Sequence, residues 1–377
     1  MKRRTLARKL LLALLGGLLL APYIGWAAES YQIGAIFPLS GPNAVYGRIF
    51  SGAVNLAVKD VNDRRELPAP LRVLYEDSRA LPQPAIVAMN KLVNIERVPM
   101  VLSAFSVVTK AVTPIAARRK VMVINGGAVS PELAGLSPYL LNDIPLVDDE
   151  LHVLIPYVTA ELKLSRIAFM YVDDPFGQGA LAAARRECAR HGCSAIALSI
   201  DPRASDFRAE VAKVRDARPD AVYIASYGQQ QNLIMKQLRD GRVTQQILGY
   251  SGMDVPDTLR LPEAQGVIFT GEHVDFSSSD PVTRTFVQSV ETTYHAKPTF
   301  YQANYYNAVL VFVRSTQWLA AHHLKLSGEN LLRAARSIGR FQVAGTTLSF
   351  EPDGTVHEPI GINRLRDGKA ELIKVVR

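Results

Sequence analysis

MVLSAFSVVTKAVTPIAARRKVMVINGGAVSPEL, residues 100–133, decides how the rest of the chain is read. Met100 to Ala104 is a short apolar strand. A turn carrying Ser103 and Ser106 follows, then a helix, then a second strand from Val121 to Ile124 that ends in Gly126-Gly127. Both strand runs are continuous and Val-rich, as strands covered on two faces are. Ser106 stands where it can cap the following helix, and Ser130 precedes Pro131, a pairing that starts helices. Two neighbouring strand-to-helix turns leave unpaired N–H groups at one edge of a sheet, and such groups hold anions, carboxylates included. In open α/β sheets that edge is where ligands sit. Ordinary turns with no ligand share the pattern, so it does not by itself assign a function.

Outward from this stretch, strands and helices alternate. Tyr31 to Leu39, Leu71 to Tyr75, Arg166 to Val172, Ala195 to Ile200, Ala221 to Tyr227, Gln246 to Tyr250 and Gly266 to Thr270 read as strands, with helical spacing between them. This order predicts an α/β chain with parallel sheets. Tyr139 to Ile144 reads as a crossing segment rather than a core strand. From Asp280 the pattern changes to three helices in succession, closing with a turn at Glu351-Pro352-Asp353-Gly354 and two short strands.

The chain has 377 residues, more than one hydrophobic core usually serves, so two lobes are expected. Its 48% apolar and 21% charged residues are those of a soluble globular protein. Lys2, Arg3, Arg4, Arg8 and Lys9 precede an apolar run from Leu10 to Ala21, then Pro22 and the small residues around Trp26. This predicts a cleaved secretory signal peptide over 1–27, too short in its apolar part for a membrane span. Arg3-Arg4 fits twin-arginine export as well as the general route. The five leader cations account for most of the +8 net charge, and the remainder is near +3. With no basic stripe carrying interleaved aromatics, nucleic acid is not expected as a partner.

Cys188 and Cys193 flank a helix-to-strand turn. They read either as a local disulfide, which an oxidising compartment permits, or as two reduced thiols. His191 is the only other soft ligand nearby, and no metal site is expected. Signals for catalysis are absent: no glycine-rich dinucleotide fingerprint, no Gly-x-Ser-x-Gly elbow, no His-Glu-x-x-His. Gly177 and Gly179 read as turn glycines. Asp173 and Asp174 are adjacent and so face apart, which argues against a shared acid pair. No cofactor is expected. Tyr46, Phe105, Phe176 and Tyr227 all lie at strand ends or helix starts, where they can line a cleft between lobes or simply pack.

IGAIFPLSGPNAVYG, residues 33–47, resembles the opening of type I periplasmic solute-binding proteins, and within them the leucine/isoleucine/valine-binding proteins of ABC importers. The resemblance continues through Glu76-Asp77, Ser130-Pro131-Glu132-Leu133, the turn at 174–179 and Tyr227-Gly228. It implies two αβα lobes joined by three crossings: 31–142 with 274–344, and 143–273 with 345–377. It implies that Ser106 and the backbone of Gly127, Ala128 and Val129 hold a ligand carboxylate, with Tyr46, Phe105, Phe176 and Tyr227 around it. It further implies a monomer in the periplasm that passes a small solute to a membrane permease and is not an enzyme. Val129 and Phe176 stand where the family often has Thr and Tyr, and the ammonium-binding acid is matched only loosely by Asp254. That leaves backbone carbonyls, Ser103, Tyr227 and Asp254 to hold an ammonium. An apolar or aromatic carboxylate, or an amide, is therefore the expected alternative to an amino acid. A periplasmic enzyme and a ligand-sensing module are the readings from other classes.

Overall fold

The computed structural model describes residues 30–376; the expected leader at 1–27 lies outside the described residues. Lobe one is built on β1 (Tyr31–Phe37), β2 (Leu71–Asp77), β3 (Met100–Ser103), β4 (Met122–Asn125) and β5 (Leu140–Asn142). Helices α1 (Ala44–Asp63), α2 (Pro82–Asn94) and α3 (Ser106–Arg119) join the first four. All pairings are parallel, in the order β2-β1-β3-β4-β5. β3 and β4 are buried at every position, as their unbroken apolar runs require.

Lobe two begins with α4 (Val147–Ala160). It continues through β6 (Arg166–Val172), α5 (Pro175–His191), β7 (Ser194–Ile200), α6 (Arg208–Ala217), β8 (Ala221–Ala225), α7 (Gly228–Asp240), β9 (Gln246–Gly249), the short α8 (Pro256–Leu259) and β10 (Ile268–Glu272). The chain then returns to lobe one as α9 (Pro281–Tyr294), α10 (Phe300–Ala321) and α11 (Gly328–Ile338), with a hairpin of β11 (Phe341–Val343) and β12 (Thr346–Leu348). Two antiparallel strands, β13 (Ile360–Arg366) and β14 (Lys369–Val376), complete the second sheet in the order β14-β13-β10-β9-β8-β6-β7. β6 shows the period of two plainly. Ile167 and Phe169 face one core and Ala168 and Met170 the other.

The two lobes repeat one plan. In each, the first strand is flanked by the second and third, so the connections leave it toward opposite faces. This reversal opens a crevice at the strands' carboxyl ends. Local chemistry builds the corners. Asp174 caps α5 by accepting the Gly177 N–H at 2.9 Å, with Pro175 at the first helical position. A Cβ on Gly177 would stand 1.9 Å from the Val172 carbonyl oxygen, so only glycine fits this turn. α10 starts from a reciprocal cap between Thr299 and Gln302 and is buried over most of its length.

Several details differ from the sequence reading. Residues 140–142 are a strand, paired with β4 at the sheet edge; the crossing begins at Asp143. The hairpin packs on α9 and α10 of lobe one. The segment after it stays bonded to lobe one through Gly135 N–H to Asp353 O and Asn142 N–H to Gly354 O. The third passage therefore lies at 357–359, not at 344. Ser106 is the first residue of α3 rather than its cap; Phe105 holds the cap position. Cys188 and Cys193 are joined, across the end of α5. Among the described residues no helix is long and apolar enough to cross a membrane.

Candidate ligand-binding cleft

The carboxyl ends of the two sheets face each other across a cavity of about 380 Å3, its mouth included. Most of that is open mouth; the enclosed space is about 20 Å3, room for about one water, so the two walls lie close together. Lobe one contributes Tyr46 from the start of α1, Phe105 to Val107 at the end of β3, and Gly127 to Val129 at the end of β4. Lobe two contributes Asp174 and Phe176 after β6, Tyr227 after β8 and Tyr250 after β9; Tyr301 reaches in from α10.

The lobe-one wall offers donors. Phe105 has φ +66°, a left-handed value that a bulky residue adopts only under constraint, at a cost of about 1–3 kcal/mol. This turn starts α3 at the cavity, and the first N–H groups of a helix have no intrahelical partner. Asn125, fully buried at the end of β4, shapes the second turn. Its Oδ1 accepts the N–H groups of Gly127 (3.2 Å) and Ala128 (2.7 Å), and its Nδ2 donates to the Ala128 carbonyl (2.8 Å). The amides of Gly127 and Ala128 are thus already used. The N–H of Val129 has no partner among the described residues. Ser106 Oγ accepts the Ser130 N–H at 3.1 Å, which leaves its own hydrogen to donate.

The lobe-two wall differs in kind. Asp174 is almost fully buried. Besides Gly177 it accepts the Tyr227 hydroxyl at 2.8 Å, and burial holds its carboxyl above the usual range despite these bonds. Other tyrosine hydroxyls are spent on the backbone: Tyr250 donates to Ser226 O at 3.0 Å and Tyr46 to Gly252 O at 3.2 Å. Aromatic rings fill the remainder, with Phe176 against Tyr250 (centroids 4.6 Å) and Tyr46 edge-on to Phe105 (5.4 Å).

The lobes touch across this cavity. Tyr46 reaches from lobe one to Gly252 O and receives the Gly228 N–H at 3.4 Å. Gly228 has φ +60°, a backbone value that side chains rarely adopt, and a Cβ there would lie 2.3 Å from Asn43 Oδ1 of lobe one. Ser130 Oγ donates to Pro175 O at 2.9 Å, and Phe105 meets Tyr227 edge-on at 5.2 Å.

A family model described as "Periplasmic binding protein" matches residues 30–370. The chain belongs to the periplasmic binding protein family. Leu/Ile/Val-binding protein homolog 3 of Brucella melitensis is 24% identical over 290 residues, 74% of this chain and 78% of that protein. The Leu/Ile/Val-binding protein of Escherichia coli is 27% identical over 247 residues, 64% of this chain and 67% of that one. A leucine binding protein from Thermotoga maritima has the same fold, with TM-score 0.85 and 19% identity over 92% of this chain and 98% of its own. So has a solute binding protein from R. palustris solved with benzoate, at TM-score 0.82 and 15% identity, covering 92% and 96%.

Within this periplasmic binding protein fold, the residues singled out in the sequence separate into two groups. Tyr46, Phe105, Ser106, Gly127, Ala128, Val129, Phe176 and Tyr227 lie on the cavity wall. Ser103 does not: its hydroxyl pairs with that of Thr109 at 2.8 Å, inside the core. Nor does Asp254, whose carboxyl is pushed up to about 6 by burial and which is absent from the cavity wall. Asp174, weighed in the sequence only as half of an acid pair and set aside, lies on the wall, as do Val107, Tyr250 and Tyr301, which had not been singled out. For Asp174 the available signal was its place as a helix cap directly after the first strand of a lobe.

Proposed function

We propose that this chain is the solute-binding component of an ABC importer, working as a monomer in the periplasm without turning its ligand over. The ligand is a small solute bearing a carboxylate. The polarity of the cleft carries this reading: lobe one faces it with the Ser106 hydroxyl and the free Val129 N–H, lobe two with the acceptor Asp174. A fitting ligand has a carboxylate at one end, an apolar body among the rings, and a hydrogen-bond donor toward Asp174. An α-amino acid with an apolar side chain meets all three demands, and the likeness to Leu/Ile/Val-binding proteins agrees with it. The lack of acceptors at Val129 and Phe176 had favoured a ligand without an ammonium; Asp174 supplies an acceptor that reading did not include. A second reading, an aromatic carboxylate, is favoured by the six rings on the wall and by the benzoate of the R. palustris structure.

A thermal-shift screen of apolar amino acids, their amides and benzoates tests capture. A ligand at about one hundred times its Kd stabilises by about 2.7 kcal/mol. Asp174→Asn then separates the readings, because asparagine keeps the helix cap and removes the charge. Leucine or phenylalanine should lose about 30-fold or more in affinity, the cost of stranding a buried ammonium. Benzoate should change by less than about threefold. No binding by any member of the set, or conversion of a bound one, would sink the proposal.

A further inference from the structure

Tyr46 stands in the first turn of α1, and its ring is fixed by lobe one. It meets Phe105 and Tyr301 edge-on, with centroids at 5.4 and 6.0 Å, and Phe50 at 5.9 Å. Its hydroxyl serves the other lobe. The O–H donates to Gly252 O at 3.2 Å, and the oxygen accepts the Gly228 N–H at 3.4 Å. A tyrosine hydroxyl has one hydrogen to give. With the lobes together that hydrogen is committed to lobe two, so Tyr46 offers the cavity a ring face and no free donor.

Lobe two holds both partners in place. Gly252 lies in the short turn Ser251–Met253 after β9, and Gly228 is the first residue of α7. Gln231, fully buried on α7, donates to Gly252 O (2.9 Å) and to the Thr258 hydroxyl oxygen (2.8 Å). Thr258, on α8, donates in turn to Asn232 Oδ1 at 2.7 Å. From α4, buried Glu150 accepts the neighbouring Ser251 N–H (2.8 Å) and the Thr270 hydroxyl (3.1 Å). The turn that takes the Tyr46 hydrogen is therefore tied to α7, α8 and α4. Positions 228 and 231 share a face of α7; one presents an N–H and the other holds the carbonyl. Gln231 Oε1 has no partner among the described residues. A buried amide left half satisfied lowers stability, so this glutamine is not there to strengthen the core. What it does is fix Gly252 O.

We propose that the Tyr46 hydroxyl is a latch across the lobes, seated on Gly228 N–H and Gly252 O, and that Gln231 is the positioning residue of that seat. The proposal rests on the reading of the cleft as a solute site. Ser106, Val129 and Asp174 choose the solute, and the latch sets how long it is kept. Both latch bonds join the lobes, so they form only as the lobes come together. A solute landing on open lobe one is not touched by them, whereas a solute leaving the closed cleft waits until they break. Both bonds lie between protein groups alone, so the latch favours the closed form without a solute as well. Two neutral bonds of this length together shift the open-to-closed ratio by about tenfold.

Tyr46→Phe keeps the ring and removes the hydroxyl, and Gly252 O keeps Gln231. Cys188 and Cys193 are bonded to each other, so spin labels at Val87→Cys and Arg203→Cys, both well exposed and on different lobes, are unique. Without solute, inter-label distances by pulsed electron resonance should show a closed population in the parent protein. Tyr46→Phe should move the ratio about tenfold toward the open form. Identical distributions in the two proteins overturn the proposal. Gln231→Leu should move the ratio the same way and, added to Tyr46→Phe, change nothing further. Additive effects overturn the role given to Gln231; Gln231→Met serves where Gln231→Leu does not fold. Leucine and benzoate are then the probes in stopped flow. For whichever binds, Tyr46→Phe should speed release about tenfold and alter association by less than about twofold. Slower association with unchanged release overturns the latch. If neither probe binds, it is the reading of the cleft that fails, and the distances without solute still decide the latch.

Discussion

Replacing Asn125 by alanine probes what holds the carboxylate-facing turn. The Asn125 side chain makes four hydrogen bonds: from Gly127 N–H and Ala128 N–H, to Ala128 O, and to Asn142 Oδ1 at 3.0 Å. Truncation leaves four polar groups, three of them buried, without these partners. A net hydrogen bond contributes about 0.5–1.5 kcal/mol, and an unpaired buried group costs about 1–3 kcal/mol. The turn borders the cavity, so water recovers part of the loss, and a total of about 2–5 kcal/mol is expected. For a cooperative unit the size of lobe one, each kcal/mol lowers Tm by about 2–4 °C. Calorimetry should therefore show the lobe-one transition falling by about 5–15 °C, with lobe two little changed. A fall below about 2 °C would refute the reasoning, because the turn would then keep its shape without Asn125.

Ser106→Ala removes a donor from the carboxylate half of the cleft. A charge-assisted bond is worth about 1.5–3 kcal/mol, so titration calorimetry should show affinity for any carboxylate that binds falling about tenfold or more. Unchanged affinity would leave Ser106 only as the acceptor of the Ser130 N–H. Cys188→Ser with Cys193→Ser opens a loop of sequence separation 5. On the chain-entropy model this costs about 2 kcal/mol, seen as a lower transition for lobe two alone; a shift confined to lobe one would contradict it.

The architecture is legible in the sequence because buried parallel strands need unbroken apolar runs. Met100 to Ser103 and Met122 to Asn125 can hardly be read otherwise. The cavity wall is legible where position alone decides it: Tyr46, Phe105, Phe176 and Tyr227 follow the first and third strands of their lobes. What escapes depends on long-range packing. Asp173-Asp174 has the look of a solvated acidic turn, and only the facing lobe makes Asp174 a buried acceptor. Tyr301 carries the spacing of a core helix, and its approach to the cavity depends on how α10 lies on α1. The hairpin at 341–348 resembles a crossing until its bonds to lobe one are known.

The cleft and the hinge are not separate devices. The turn after β4 is tied to the first passage on both sides. Asp143 N–H donates to Asn125 O at 2.7 Å and Val147 N–H to Val129 O at 2.8 Å, while Asn125 Nδ2 reaches Asn142. The same turn is tied to the second passage through Asn304, whose Nδ2 approaches Gly126 O at 3.5 Å and whose side chain lies near Glu272. A ligand that fixes Gly127 to Val129 therefore also fixes the backbone from which Asp143 and Glu272 project. Loosening the turn at Asn125 should therefore weaken ligand binding as well as the stability of lobe one, and unchanged affinity of Asn125→Ala in titration calorimetry would break that link.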